Sequence, residues 1–255
     1  VNGSRDVVNG ILDHPGIDAV SFVGSASTAA YIYERAAANK KRVQALGGAK
    51  NSMLVMPDAI MDKTADNIIG SAFGAAGQRC MAGSIIVAVG GAWKDLQKEL
   101  LPRTQALTVG DGMTKGTSVG PVVSCDARDR IRGMIDNALA AGATLAVDGR
   151  QTGLSEEGAF VGPTIVEGVT ADMEIAREEV FGPVVPIATF VGEDEATRAA
   201  NDTEYGLAAI VYTGDEGRAD RVSSALVAGT VWVNCFFVRD LAAPFGGARG
   251  SGIGR

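Results

Sequence analysis

The fold this sequence predicts is α/β, with a mostly parallel sheet flanked by helices. Three observations predict it. Short apolar runs alternate along the chain with longer segments of helical period, the order that gives parallel strands covered on both faces. Hydrophobic residues make up 46% of the 255 residues and 34 are glycine, which suits a sizeable core crossed by many tight turns. The first segments run strand, glycine turn, helix, strand, which is a βαβ fragment.

The elements follow in order. Ala19 to Val23 is a short apolar run that reads as a buried strand, broken by Gly24-Ser25. Thr28 to Lys40 carries Ala, Ile and Tyr at helical spacing. Arg42 to Leu46 reads as a second strand, ended by Gly47-Gly48, and Met53 to Met56 as a third. Asp58 to Ala76 reads as one long amphipathic helix, with Ile60, Ala65, Ile68, Ile69, Ala72 and Phe73 on its buried side and Gly77 at its end. Ser84 to Val89 is strand-like, Ala92 to Leu101 helical, and Asp126 to Ala141 a strong helix with Ile131, Met134, Ile135 and Leu139 in register. Val184 to Phe190, Ala208 to Thr213 and Thr230 to Val233 are strands, separated by helices near Glu193 to Asn201 and Gly217 to Ala228.

Composition narrows the function classes. The formal net charge is −7, the basic residues form no stripe, and four Tyr and two Trp are all that could stack on bases, so nucleic-acid binding has little support. No stretch approaches the roughly 20 apolar residues of a membrane span, and no basic-apolar leader is evident. Val1 opens in mid-pattern, so the start looks cut. The cysteines, Cys80, Cys125 and Cys235, are odd in number and lack Cys-x-x-Cys spacing, which fits a reducing cytoplasm better than a disulfide framework or a zinc site. His14 is the sole histidine, which nearly excludes a His base, a Ser-His-Asp triad or a His-rich metal centre. Beside Pro15 it reads as a surface loop residue.

One segment carries chemistry on its own terms: Phe73-Gly74-Ala75-Ala76-Gly77-Gln78-Arg79-Cys80-Met81-Ala82-Gly83-Ser84. A helix runs out into a glycine, and a cysteine follows three residues later, before a strand. Gly77 lets backbone approach a small substrate, and Arg79 beside the thiol could favour its thiolate. Read locally, Cys80 is more readily a small buried hydrophobe, as unpaired cysteines usually are.

The wider pattern resembles the aldehyde dehydrogenase superfamily. Its carriers, in order, are Phe22-Val23-Gly24-Ser25, Leu46-Gly47-Gly48-Ala49-Lys50-Asn51, Gly77-Gln78-Arg79-Cys80, Glu178-Glu179-Val180-Phe181-Gly182-Pro183, and Pro244-Phe245-Gly246-Gly247 with Ser251-Gly252-Ile253-Gly254-Arg255. The resemblance covers essentially the whole chain. It implies that Cys80 is the nucleophile and that its backbone N–H is an oxyanion donor. It further implies that Gly24-Ser25 and Gly47 lie against an NAD cofactor, with NADP as the alternative. Glu179 would hold the nicotinamide ribose, and Phe181 would wall the nicotinamide. Left to themselves, Ser25 is a helix cap, Glu179 a solvated charge and Phe181 core packing. Where the family often has a further glycine, this chain has Ala29.

Most such enzymes place a Glu, the general base for a deacylating water, where this chain has Leu46, 34 residues before Cys80 (80 − 46). Losing a general base costs about 10²–10⁴ in rate, whereas a thiol of pKa about 8.5 supplies its own anion. The Arg42-Val43-Gln44, Gly48 to Asn51 and Gly74 to Ala82 segments resemble the CoA-acylating methylmalonate-semialdehyde dehydrogenases, which also lack that Glu. The resemblance therefore implies coenzyme A as co-substrate and a small carboxylated aldehyde as substrate. Val231 to Asp240 and the Pro244-Phe245-Gly246-Gly247 run resemble instead hydrolytic hydroxymuconic-semialdehyde dehydrogenases. By that likeness Arg239 lines the substrate tunnel and pairs with a substrate carboxylate; its bland alternative is a surface ion pair with Asp240 or another acid. Cys235 reads as packing after a strand. A hydrolytic enzyme and a non-catalytic remnant remain the alternative functions. The expected organisation is residues 1–48 as the end of a Rossmann-like cofactor domain, 49–241 as the catalytic domain and 242–255 as a segment returning toward the cofactor domain. The oligomerisation strand would be absent, so these residues alone should have little activity, while the full-length protein should be a homo-oligomer.

Overall fold

Two sheets of unequal size divide the chain. The computed structural model describes residues 2–255. Helix α1 (Arg5–Asp13) is followed by β1 (Ala19–Val23), α2 (Ala26–Ala38) and β2 (Arg42–Leu46), and these strands pair in parallel, so the predicted βαβ fragment is present. A third strand, β10 (Gly252–Ile253), arrives antiparallel on the other side of β2, with Gly252 opposite Leu46. Strand β1 is not buried as expected. It is the edge of the small sheet, its residues alternate between exposed and half-buried, and Val23 is 60% exposed. One face packs on α2 through Val20 and Phe22, and the apolar composition gives no sign that the other face is open.

The second sheet has seven strands: β3 (Asn51–Val55), β4 (Gly83–Val89), β5 (Thr144–Val147), β6 (Thr164–Glu167), β7 (Val184–Phe190), β8 (Ala208–Tyr212) and β9 (Thr230–Val233). Their order is β5-β6-β7-β4-β3-β8-β9. All neighbours are parallel except β5 against β6. The central strands β3 and β8 are buried at every residue, as continuous apolar runs in a two-sided sheet should be. One face carries the large core, with Phe73, Leu96, Leu100, Ile131 and Ile135 from α3 (Met61–Ile68) and the turns after it, α4 (Ala92–Gln105) and α5 (Cys125–Ala140). The other holds a smaller cluster of Leu54, Val87, Val211, Ala196 and Val222, closed by α7 (Glu193–Asn201) and α8 (Glu216–Ala225). The short helix α6 (Glu174–Arg177) precedes the Glu178 to Pro183 loop.

The predicted helix from Asp58 to Ala76 is not one helix. Regular α geometry holds only over α3; a π-type turn follows at Ile69–Phe73, then a tight turn at Gly74–Gly77 in which Ala75 and Ala76 take left-handed backbone angles, both with φ 53°. Each such angle costs an L-residue about 1–2 kcal/mol, so packing must hold the turn. Ile60, expected on the buried face, caps the start of α3 and is 60% exposed. Among elements with weak sequence signals, α1, β5, β6, α6 and β10 appear only in the structure.

Candidate active site

Cys80 lies on the turn between the coiled-back end of α3 and β4, half-buried against the main core. The turn is clamped from three directions. Asn51, at the start of the neighbouring strand β3, is buried and donates from Nδ2 to the Cys80 carbonyl at 2.8 Å and to the Ala82 carbonyl at 2.7 Å. Its Oδ1 accepts the Ala208 N–H from β8 at 3.0 Å, so one side chain spans three strands' ends. Gln78 reaches the other way, accepting the Val123 N–H at 2.8 Å and donating to the Pro121 carbonyl at 3.3 Å. Gly77 closes the third side. Its φ is +68°, and a Cβ there would lie 2.2 Å from the Gly182 carbonyl oxygen, so only glycine lets the cysteine turn meet the Gly182 loop.

Burial pushes the Cys80 thiol up from its ordinary value. The backbone N–H groups of Met81 and Cys80 itself favour the thiolate, Glu179 opposes it, and Arg239 favours it. The cation that sequence adjacency suggested is elsewhere. Arg79 donates to the Gly70 carbonyl at 2.8 Å and the Gly74 carbonyl at 3.3 Å, and its guanidinium stacks 5.7 Å from the Phe236 ring and 5.3 Å from the Phe237 ring. It braces the turn, and Arg239, 159 positions further on (239 − 80), is the cation that acts on the thiol.

Arg239 sits 5.7 Å from both the Phe237 and Phe245 ring centres, an arrangement that holds a guanidinium by its faces and leaves its N–H edge free. Among the described residues it makes no ion pair; the surface pairing with Asp240 is not formed. With Met81, Trp232 and Phe245 it lines a cleft of about 390 Å³ that runs to the cysteine turn. Cys235 packs at the core margin, as expected of a residue after a strand.

Glu179 is half-buried rather than a solvated charge. Burial raises its carboxyl above its ordinary value, while the Ala49 N–H and the Lys50 and Arg130 cations pull it back. The carboxylate occupies space that glycine leaves: a Cβ on Gly48 would lie 2.7 Å from Glu179 Oε2. Phe181 has φ +50° and is 39% exposed, so it is not core packing; the strained backbone presents the ring outward. Ser25 caps α2, its Oγ accepting the Thr28 N–H at 3.4 Å. The Gly24 N–H donates to the Leu46 carbonyl at 3.0 Å, and the Gly47 N–H to the Ser251 carbonyl at 2.9 Å. These latter contacts join β2, the start of α2 and the returning segment. Leu46 itself is buried and can take no proton. His14 ends α1 in an exposed loop.

Three features escaped the sequence reading. Lys50 and Asn51 lay inside a quoted motif without a role, although a lysine and an asparagine among apolar strand residues are the signal of buried, partnered polar groups. Ser251, fully buried, donates to the Gly48 carbonyl at 2.8 Å and accepts the Gly206 N–H at 2.9 Å, bolting the returning segment to both sheets. Between α1 and the capped start of α2, a hollow of about 480 Å³ is lined by Arg5, Val8, Ser27, Thr28 and Tyr31.

The fold and site define a doubly covered, largely parallel α/β protein with a free, half-buried cysteine on a clamped turn near a half-buried carboxylate. The chain belongs to the aldehyde dehydrogenase family, whose model matches residues 1–255. It is 38% identical over 255 residues to a malonate-semialdehyde dehydrogenase of Halalkalibacterium halodurans, covering all of this chain and 53% of that protein. It is 41% identical over 256 residues to malonate-semialdehyde dehydrogenase 2 of Geobacillus kaustophilus, with the same coverage. Among solved structures, methylmalonate-semialdehyde dehydrogenase of Oceanimonas doudoroffii superposes with a TM-score of 0.96 at 40% identity, over all of this chain and 53% of that one. Betaine aldehyde dehydrogenase of Staphylococcus aureus, in complex with NAD+, gives 0.93 at 36% identity, over all of this chain and 51% of that one. The chain spans about half the length of the curated relatives it matches.

Proposed function

We propose that the complete protein oxidises a carboxylated semialdehyde with NAD, through an acyl thioester on Cys80 that coenzyme A releases. The observation that carries this reading is a half-buried free sulfur on a clamped turn, next to Met81 of the cleft that Arg239 also lines, with Arg239 and Glu179 near enough to act on its charge. The thiolate of Cys80 attacks the aldehyde carbon, forming a C–S bond and placing negative charge on the former carbonyl oxygen. The Cys80 N–H is the donor assigned to that oxygen. Arg239, with its guanidinium edge free, is assigned to the substrate carboxylate.

The residues present fit the nucleotide. Glu179 offers acceptor oxygens suited to ribose hydroxyls, in a niche that a side chain on Gly48 would fill. Phe181 offers an outward apolar ring, and Ser25 and Gly47 border the start of α2, whose free N–H groups suit a phosphate. The hollow beside Arg5 and Tyr31 continues from that helix end and is assigned to the adenosine. When bound, the nicotinamide ring supplies the hydride acceptor. NADP is the alternative nucleotide.

Leu46 stands where a general base would activate water, which favours release by a thiol. A hydrolytic reading has one observation of its own: Glu179, its carboxyl raised by burial, is the one carboxylate among the described residues that acts on Cys80. Product analysis separates the two. An acyl-CoA formed only with coenzyme A supports thiolysis, and free acid at full rate without it overturns thiolysis. Cys80→Ala should abolish both products; aldehyde oxidation surviving that change would remove the whole assignment. Arg239→Ala should lower kcat/KM for carboxylated aldehydes about 10- to 100-fold while sparing neutral ones, from the worth of a charged hydrogen bond. Equal losses on both would reject its role.

The remaining assignments belong with this reading. Residues 1–48 are assigned to the end of the cofactor domain, 49–241 to the catalytic domain and 242–255 to the segment that returns to the first, a division supported by the two separate sheets. The working protein is assigned as a homo-oligomer of the cytoplasm. Among the described residues no helix is long and apolar enough to cross a membrane.

A further inference from the structure

Lys50 is a lysine inside the protein, 5% exposed, on the single connection that leads from the small sheet into the large one. Its Nζ donates to the Ile175 carbonyl at 2.8 Å and to the Glu178 carbonyl at 2.9 Å. Those acceptors lie on α6 and on the peptide that leads directly into Glu179. An ammonium is a poor choice for a core unless its charge has work to do, because burying it costs several kcal/mol before any partner is counted. A methionine would fill the same space at less cost. The neighbouring residue adds to the pattern, since the Ala49 N–H favours the ionised Glu179 carboxylate. Residues 48, 49 and 50 thus address one target: Gly48 leaves room for the carboxylate, the Ala49 N–H favours its charge and Lys50 fixes the backbone that carries it.

We propose that Lys50 is the positioning residue for Glu179, holding its loop so that the carboxylate is set for the cofactor ribose. The proposal rests on the reading of Glu179 as the ribose-binding group. It makes the ammonium a proton-sensitive support. Burial presses Lys50 down to about 7, while Glu179 and Glu178 pull the other way. Arg177 and Asp202 share with Lys50 the wall of a cavity of about 310 Å³, and Tyr205 comes up to Gly48 beside the Glu179 carboxylate. As pH rises through about 7 the ammonium loses its charge, its two charge-assisted bonds weaken to ordinary ones, and the loop loosens. At the acid end Glu179, whose carboxyl is raised, takes up its own proton and stops accepting two hydroxyls. Affinity for NAD should therefore fall on both sides, with Lys50 governing the alkaline limb and Glu179 the acid limb.

The test uses the complete protein encoded by the reading frame. NAD dissociation constants are measured by calorimetry from pH 5.5 to 8.5, and backbone amide exchange of residues 178–181 is followed without cofactor. Lys50→Met should raise the dissociation constant about tenfold at pH 6.5, remove the alkaline limb and speed exchange in that loop, while kcat at saturating NAD changes little. Glu179→Gln should weaken binding and remove the acid limb. If Glu179→Gln leaves NAD affinity unchanged, the ribose reading fails. If it weakens binding while Lys50→Met stays within twofold of the parent with unaltered exchange, the positioning role alone is overturned. Should Lys50→Met not fold, the unmodified protein decides. A dissociation constant that rises at least threefold from pH 6 to 8.5, centred near 7, supports the role, and a flat profile overturns it.

Discussion

Replacing Asn51 by alanine is the sharpest test of how the cysteine turn is held. The side chain is 1% exposed and makes three hydrogen bonds of 2.7 to 3.0 Å, two to the Cys80 and Ala82 carbonyls and one from the Ala208 N–H. At a net worth of about 1 kcal/mol each, with the stranded partners buried, Asn51→Ala should cost about 3 kcal/mol. In a complete protein about twice the length of this chain, as its relatives are, that corresponds to a fall in Tm of about 3–6 °C. Asn67→Ala is the control: its amide donates only to the Lys63 carbonyl, one turn back on an exposed helix face, and should cost under about 0.5 kcal/mol. The assay is thermal unfolding of both variants of the complete protein, with the iodoacetamide alkylation rate of Cys80 measured below the transition. Asn51→Ala should also change that rate, because the freed Cys80 carbonyl no longer fixes the direction of the adjoining N–H groups. A Tm within 2 °C of the parent, together with unchanged alkylation, would refute the claim that Asn51 sets the turn.

Other outcomes follow from the same geometry. The thiol of Cys80 is raised by burial above its ordinary 9.0, so alkylation in the absence of cofactor should keep accelerating beyond pH 9; a plateau below pH 8, followed by mass spectrometry, would contradict it. Gly48→Ala pushes a methyl into the Glu179 carboxylate, with 2.7 Å available, and should weaken NAD binding at least about tenfold while circular dichroism stays unchanged. Gly77→Ala adds left-handed strain to a 2.2 Å encounter with the Gly182 carbonyl, and should cost at least about 3 kcal/mol by urea denaturation. A loss below 1 kcal/mol would mean that the two loops are not in contact.

Strands with β-branched cores and glycine at their ends were legible residue by residue: β1, β2, β7 and β9 run over the predicted spans, and so does α7. Their pattern is local, so one sequence suffices. The failure at Ile69 to Gly77 has the opposite cause. Alanine has the strongest helical preference of any residue, yet Ala75 and Ala76 are left-handed because Gly77 must meet Gly182, 105 positions away (182 − 77). No local pattern encodes that contact. Strands β5 and β6 have four residues each, among glycine-rich loops, too short for their alternation to register. The motif pointed to Cys80, Glu179 and Phe181, and the structure brings Glu179 to Cys80, with Phe181 two residues beyond on the same loop. Arg79 misled because sequence proximity was taken for spatial proximity. Its side chain turns back along its own turn, where the Phe236 and Phe237 rings receive it.

The antiparallel seam between β2 and β10 joins residues far apart in synthesis. Leu46 waits 206 residues for Gly252 (252 − 46), and the Ser251 hydroxyl that closes the seam also satisfies groups at Gly48 and Gly206. A ribosome making this protein therefore releases the Glu179 niche with one wall unsupported until the final seam forms. Contacts of such long range form slowly. A lesion between Ala248 and Ile253 should accordingly be felt at the niche.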